Sequence, residues 1–545
     1  MRLSAFLFDQ LWQRGVRHVF GLPGDFALNA FDALAADGRF TLVRFGHEPS
    51  VGFAADGAAR ATGGLGVCLV TYGAGGLNMV NPVACAYAEQ SPVVVLSGGP
   101  GRAERRSGVL VHHEVKSFDS QLNVYREVTE YAAILDDPRS AAHHIVRALD
   151  AAEKLTRPVY LEIPRDMVSA EIEVPDDLAH LELRSDHGAV DEAVAEIVGR
   201  LRAAANPVLI AGVEIHRFRL RDAIVRLAER LGVPVTSSFL GRGVFPTRHP
   251  QFVGTYLGVV SADGLRYMVE SSDCVLLLGE RISDTGLGVP ADRLNDRNLI
   301  LCAGREVVIG HHRYQDVPLD GILSQLTREA AILPPRERAV TAEPLALATA
   351  TPDADDAPVT IGAVIRTLNA FFDRHPEVPL VTDTGDCLFA AVEIRANESL
   401  APAYYATMGF AVPAALGLQS ASGRRPLVLV GDGAFQMTGP ELSRAAEHGC
   451  NPVVIVLNNG SWEMLEAFVP AAGYNRVTSW PYAKLAELWG MTGVEVRSAG
   501  HLRRALDAAW QGGKPSLLEI PIERGDISPV LARFVEAFKK RVASA

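Results

Sequence analysis

The chain has 545 residues, 48% apolar and 21% charged, a balance ordinary for a globular enzyme and enough for about three domains. Its net charge of −12, with no block of lysine and arginine, argues against a nucleic-acid partner. No apolar run is long enough to span a bilayer, so no membrane partner is expected. The six cysteines, Cys68, Cys85, Cys274, Cys302, Cys387 and Cys450, form neither a Cys-x-x-Cys pair nor a zinc-spaced cluster. They read as small buried hydrophobes in a reducing compartment. The opening stretch Met1–Gln10 lacks a signal-peptide core and reads as an amphipathic helix, so a cytoplasmic location is the expectation.

Short apolar strands alternate with amphipathic helices along three segments. The pattern predicts an α/β fold with three mostly parallel sheets flanked by helices. The first segment, residues 1–175, has strands predicted at His18–Gly21, Val67–Thr71, Val93–Ser97 and Val159–Ile163. An acidic, proline-interrupted joint follows at Glu171–Asp186. The second segment, 189–333, has strands predicted at Pro207–Ala211, Cys274–Leu278 and Leu299–Cys302. It carries no complete Gly-x-Gly-x-x-Gly, so neither flavin nor nucleotide is expected there; Ser283-Asp284-Thr285 reads as a turn rather than an effector site. A second joint, Leu333–Ala357, is rich in Pro, Ala, Thr and Asp. The third segment, 358–545, shares with the first a plan of strand, glycine turn and helix, a hint of an old duplication; no short repeat stands out.

The third segment holds the most specific pattern. An apolar strand, Leu427–Val430, runs into Gly431-Asp432-Gly433-Ala434, and a helix leads to a second buried strand, Pro452–Leu457, that ends in Asn458-Asn459. This is one βαβ crossover, so Asp432 and Asn459 reach the same carboxyl edge of a parallel sheet. An acid and an amide there suit a hard cation such as Mg²⁺. Gly433 and Ala434 are small enough for backbone amides to approach a diphosphate.

The pattern resembles the Gly-Asp-Gly…Asn-Asn signature of thiamine-diphosphate enzymes. Three further stretches extend the likeness: Phe20-Gly21-Leu22-Pro23-Gly24-Asp25, Gly46-His47-Glu48-Pro49-Ser50, and Thr71-Tyr72-Gly73-Ala74-Gly75-Gly76 followed by His112-His113. In this order the chain resembles the thiamine-diphosphate 2-oxo acid decarboxylases over essentially its whole length. Asn459-Gly460-Ser461-Trp462-Glu463-Met464-Leu465 points to the phenylpyruvate and indolepyruvate decarboxylases among them. The resemblance implies a pyruvate-decarboxylase-like fold of three domains, pyrimidine-binding, central and diphosphate-binding. It also implies a homodimer or homotetramer with each site between subunits.

It further implies residue roles. Glu48 would hydrogen-bond the aminopyrimidine ring, a task for a desolvated carboxyl close to the ring nitrogen. Met408 would wedge the cofactor into its bent form, with the Ala406 carbonyl accepting from the pyrimidine amine. Asp432, Asn459 and the Ser461 carbonyl would hold Mg²⁺. Gly431, Gly433 and Ala434, with Thr71, Thr384, Gly385 and Asp386, would contact the cofactor. Asp25, His112 and His113 would serve proton transfer above the thiazolium, a task suited to histidine and carboxyl groups.

One departure stands out. Pyruvate decarboxylases place a catalytic Glu six positions after the metal Asn, where this chain has Leu465. Leu388 likewise stands where pyruvate-specific relatives place a Trp. Leu388, Met464, Leu465 and Phe468 therefore form the expected substrate wall, roomy enough for an aryl or long alkyl side chain. Non-oxidative decarboxylation of an aromatic 2-oxo acid is the expected reaction. A carboligase of the same superfamily, or a catalytically idle cofactor-binding protein, is the alternative; the paired histidines weigh against the first, and Glu48, Asp432, Asn459 and both histidines together weigh against the second, which Leu465 would favour.

Overall fold

A computed structural model describes residues 1–283, 294, 297–330 and 353–544. Asp284 and Thr285 of the expected turn, and residues 333–352 of the second joint, lie outside the described residues. Among the described residues no helix is long and apolar enough to cross a membrane.

The first sheet contains β1 (His18–Gly21), β2 (Thr41–Arg44), β3 (Gly66–Val70), β4 (Val93–Gly99), β5 (Tyr131–Ile134) and β6 (Val159–Pro164). All six strands are parallel, in the order β2-β1-β3-β4-β6-β5. β3, β4 and β6 are buried along their whole length, so they read as apolar runs rather than alternating ones.

The central sheet comprises β7 (Pro207–Ala211), β8 (Val235–Ser237), β9 (Phe252–Thr255), β10 (Cys274–Leu278), β11 (Leu299–Ala303), β12 (Glu306–Ile309) and β13 (His312–Gln315). Its order is β13-β12-β11-β10-β7-β8-β9. β12 and β13 run antiparallel at one edge, joined to β11 by tight turns at Gly304-Arg305 and Gly310-His311. Both of these glycines have positive φ.

The third sheet comprises β14 (Leu380–Thr382), β15 (Ser399–Leu400), β16 (Leu427–Gly431), β17 (Val453–Asn458), β18 (Thr492–Glu495) and β19 (Ser516–Pro521). It is again all parallel, in the order β15-β14-β16-β17-β19-β18. Counted from its own first strand, this is the order of the first sheet.

The likeness extends to individual residues. The helix after β2, Glu48–Thr62, crosses the helix after β15, Ala411–Ser422. A Cβ on Gly57 would lie 2.2 Å from the Ala414 carbonyl oxygen, and one on Gly417 would lie 2.0 Å from the Ala54 oxygen. Both helices stop at a left-handed glycine, Gly63 and Gly423. Just before each glycine, the Thr62 hydroxyl donates to the Ala58 carbonyl and the Ser422 hydroxyl to the Leu418 carbonyl. A single sequence offset relates Ala54 to Ala414, Gly57 to Gly417, Gly63 to Gly423 and Val93 to Val453. The last central strands even share a tetrapeptide, Leu161-Glu162-Ile163-Pro164 and Leu518-Glu519-Ile520-Pro521, a repeat missed in reading the sequence.

The two domains share a core across this crossing. Leu416, Ala445 and Cys450 join the apolar cluster under the first sheet, and Phe53 and Cys85 join the one under the third. All six cysteines are buried and free.

Candidate active site

Two groups of side chains gather at the carboxyl edges of the first and third sheets. In the first, Glu48 opens its helix at the first helical position, with Pro49 behind it. That is a favourable place for an acid, beside unpaired backbone N–H groups. Its Oε2 accepts from Asn78 Nδ2 at 2.9 Å. Asp25 meets His112 Nε2 in a short contact, and its Oδ1 accepts from the Thr71 hydroxyl at 3.3 Å. His113 Nδ1 donates to the Tyr72 carbonyl at 3.1 Å and lies 4.0 Å from Asp25. Burial alone would raise the Asp25 pKa, but His112, the Phe26 N–H and the nearby histidine charge hold it below the ordinary value. Phe26 stacks on the His112 ring at 4.7 Å. His113 sits at φ +69, outside the comfortable region for a residue with a side chain.

The second group sits where β16 and β17 end. Asp432 is 2% exposed; its Oδ1 accepts from Gly433 N and its Oδ2 from Gly460 N, each at 2.7 Å. Burial pushes its pKa up to about 6. Asn459 Oδ1 accepts from Ser461 N at 3.0 Å. The helix expected after Asp432 is broken into Asp432–Thr438 and a 3₁₀ piece, Gly439–Arg444, at Pro440, which lacks an N–H. Open space lies where a Cβ would stand at Gly385, held at φ +106, and at Gly431. At Gly433 the same space is filled by the Trp462 ring, 2.1 Å from where a Cβ would stand, so the small residue also serves packing.

These observations fit thiamine diphosphate with a divalent cation. The expected donors are all oxygen, from a carboxylate, an amide and a backbone carbonyl, and the buried Asp432 charge has no cationic side chain paired with it among the described residues. The glycine turns leave backbone accessible beside them.

Asp383 ties the loops of this group together and was missed in the sequence, although it directly precedes Thr384-Gly385-Asp386. It is fully buried, and its oxygens accept from Thr384 N, Gly409 N and Ala411 N at 2.9, 3.0 and 2.7 Å. Burial raises its pKa to about 6. The Thr384 hydroxyl donates to the Thr407 carbonyl, which fixes the loop carrying Ala406 and Met408. Ala406 lies at φ +57, and a strained backbone of this kind is common where a carbonyl must be aimed. Asp386 is turned elsewhere: its carboxylate accepts from Ser528 N and the Ser528 hydroxyl, anchoring the C-terminal helix Pro529–Ser544.

The Ala406–Met408 loop is also held from the first domain. Glu89 accepts from Tyr404 N and Tyr405 N at 2.8 and 2.9 Å, and is itself paired with buried Arg60, which forks onto Asp56. Asn81 donates to the Thr407 hydroxyl at 2.9 Å. These holds on the loop were not read from sequence, since each joins residues more than three hundred positions apart.

Leu388, Met464 and Phe468 fall in one apolar cluster with Phe389 and Phe534. Phe534 packs tilted against Phe389 at 5.0 Å and meets Phe468 edge-on at 6.0 Å. Leu465 is 52% exposed, on the outer side of its helix. Its neighbours are engaged: Glu463 accepts from Gly525 N, and Glu466 from Ala471 N and Asn475 Nδ2. A cleft of about 580 Å³ opens beside them, bordered by Glu463, Arg524, Ile527, Val535 and Lys539.

Every hydrogen bond described for the side chains of Glu48, Asp25, His112 and His113 stays in the first domain. Those of Asp432 and Asn459 stay in the third.

Family models agree with this division of labour. Residues 1–123 match the thiamine pyrophosphate enzyme N-terminal TPP binding domain, 194–329 the central domain and 383–520 the C-terminal TPP binding domain. The chain is 44% identical to indole-3-pyruvate decarboxylase of Azospirillum brasilense, over 99% of both chains. It is 27% identical to pyruvate decarboxylase 3 of Arabidopsis thaliana, over 97% of this chain and 92% of that one. The chain belongs to the thiamine-diphosphate-dependent 2-oxo acid decarboxylases. As a member of that family it is an enzyme that takes a small 2-oxo acid and uses thiamine diphosphate, for which Mg²⁺ is the usual partner metal.

Proposed function

We propose that the substrate is an aromatic 2-oxo acid, phenylpyruvate or indolepyruvate, converted to the aldehyde and CO₂. The observation that carries this is the apolar wall of Leu388, Met464 and Phe468, backed by Phe389 and Phe534, beside the edge where Asp432 and Asn459 sit. A leucine at 388 takes less volume than a tryptophan would, and aromatic neighbours reward the burial of an aryl group. The name of the Azospirillum brasilense relative supports the same substrate class.

Thiamine diphosphate supplies, when bound, the nucleophilic carbon and the sink for the electron pair that CO₂ leaves behind. The protein supplies placement and protons. Glu48 would hold its carboxyl against the aminopyrimidine ring nitrogen. Met408 would pack against the bound cofactor, and the Ala406 carbonyl would accept from its amine. Gly431, Gly433, Ala434, Thr384, Gly385 and Thr71 would border the cofactor, Asp386 doing so through its backbone because its carboxylate is held by Ser528, while Asp432, Asn459 and the Ser461 carbonyl would hold Mg²⁺. Asp25, His112 and His113 carry a proton to the substrate-derived carbon, and their mutual contacts support a shared relay.

We further propose that the active unit is a homodimer or homotetramer, with Glu48 of one copy serving the Asp432 edge of another. The separate hydrogen-bonding of the two groups supports this. On this reading residues 1–175, 189–333 and 358–545 are the pyrimidine-binding, central and diphosphate-binding units. The free, buried cysteines suit the reducing cytoplasm.

The test is an aldehyde assay with phenylpyruvate, indolepyruvate, pyruvate and benzoylformate, with thiamine diphosphate and Mg²⁺ present. The aryl pyruvates should turn over fastest. Turnover of pyruvate at least equal to theirs refutes the substrate assignment.

A further inference from the structure

We propose that Glu441 is a positioning residue for Glu48, reaching across from the third domain to fix the joint from which the Glu48 helix starts. Glu441 lies in the 3₁₀ piece that continues from the Asp432 helix and is 5% exposed. Both of its carboxylate oxygens accept from Gly46 N, at 3.1 and 2.9 Å. Gly46 is two residues before Glu48, in the short turn between β2 and the helix. A change of backbone angle at that turn shifts the start of the helix and with it the Glu48 side chain.

The grip is reinforced on the strand side of the turn. His448 Nε2 donates to the Arg44 carbonyl at 2.8 Å, and Glu447 pairs with the Arg44 guanidinium. The His448 ring stacks on Phe45 at 6.3 Å. Residues 44–46 are thus held at three successive positions by one segment of the third domain.

The internal symmetry of the chain supplies an independent argument. The offset that relates Gly57 to Gly417 also relates Asn81 to Glu441 and Gly46 to Ala406, and Thr407 follows Ala406 in the turn before Met408. Asn81 binds the Thr407 hydroxyl, so each domain uses the same helix position to hold the turn that presents the other domain's functional side chain. Packing alone does not require a buried carboxylate at one of these positions and an amide at the other. The choice follows from the partner: a bare N–H needs an acceptor, and a hydroxyl takes a donor.

The proposal rests on the role of Glu48 given above, and the experiment separates the two. Glu441→Ala, Glu441→Gln and Glu48→Gln are compared as holoenzymes for proton–deuterium exchange at C2 of bound thiamine diphosphate, and for cofactor affinity. The amide exchange of Gly46 is followed in the chain without cofactor. Glu441→Ala should slow C2 exchange by about tenfold or more, as a small misplacement of an acting group does. It should also expose the Gly46 amide while leaving cofactor affinity within about threefold. Glu441→Gln keeps an acceptor and should restore most of the exchange rate. Where the alanine variant does not fold, Glu441→Asp withdraws the carboxylate by one methylene and should give the same slowing.

Wild-type exchange in the Glu441 variants beside slow exchange in Glu48→Gln overturns this proposal alone. Wild-type exchange in Glu48→Gln overturns the role of Glu48, and this proposal with it.

Discussion

The carboxylate of Glu48 accepts from the side-chain amide of Asn78, at 2.9 Å, across the carboxyl edge of the first sheet. The bond leaves Oε1 free to face a second donor and holds the group ready for a ring nitrogen. Glu48→Gln keeps the shape and the Asn78 contact but cannot hold a transferable proton. Cofactor affinity should stay within about threefold, while C2 deuterium exchange slows by about 10² or more, the usual scale for a lost acid–base group. Wild-type exchange in this variant removes Glu48 from the reaction.

Asp432 is a buried acid with no cationic side chain paired with it among the described residues. Asp432→Ala should abolish the Mg²⁺ dependence of thiamine diphosphate binding, so that affinity becomes the same with metal and with chelator. Titration calorimetry under both conditions reads this directly. A metal-dependent affinity that survives the substitution moves the cation elsewhere.

On the proposed substrate assignment, Leu388 sets the size of the wall. Leu388→Trp should lower kcat/KM for phenylpyruvate by about tenfold or more relative to pyruvate, because the added ring takes the volume an aryl substrate needs. An unchanged ratio places the aryl group away from residue 388.

The glycine crossing is a stability prediction. A Cβ at Gly57 or Gly417 meets backbone oxygen at 2.2 or 2.0 Å, and backbone cannot rotate away as a side-chain tip can. Gly57→Ala and Gly417→Ala should each cost about 2 kcal/mol or more, measured as a drop in unfolding free energy. Gly15→Ala, with open space around it, is the control for a glycine strained only by its backbone.

Asp383 gives a pH signature. Its folded pKa, about 6, lies above its ordinary value of 3.8, so the folded chain binds the proton more tightly than the unfolded one. Its contribution to stability is therefore lost as pH rises through about 6 and regained below about 4. Subtracting the Asp383→Asn stability curve from the wild-type curve should isolate a slope of that sign between those two pH values. A difference curve flat over the window contradicts the burial argument.

The Asp432–Asn459 edge was legible because two fully buried strands and a glycine turn leave a period in the sequence that little else produces. The parallel sheets of the first and third domains followed from the same runs. The antiparallel edge of the central sheet was not foreseen, since β12 and β13 are short and half exposed. Glu89, Asn81 and Glu441 were invisible for a different reason: each is an ordinary polar residue on a helix until folding brings a turn from the opposite domain onto it. Asp386 shows the reverse, a motif residue whose carboxylate the fold directs to Ser528.

The shared strand order and the reciprocal crossing at Gly57 and Gly417 have a historical consequence. A single ancestral domain with Ala-x-x-Gly on that helix would have paired with a second copy of itself, each glycine admitting the other's backbone. Doubling such a gene would turn that symmetric dimer into one polypeptide and release its equivalent positions from identity. Position 48 could then become a carboxylate and position 408 a thioether, two different tools descended from one site.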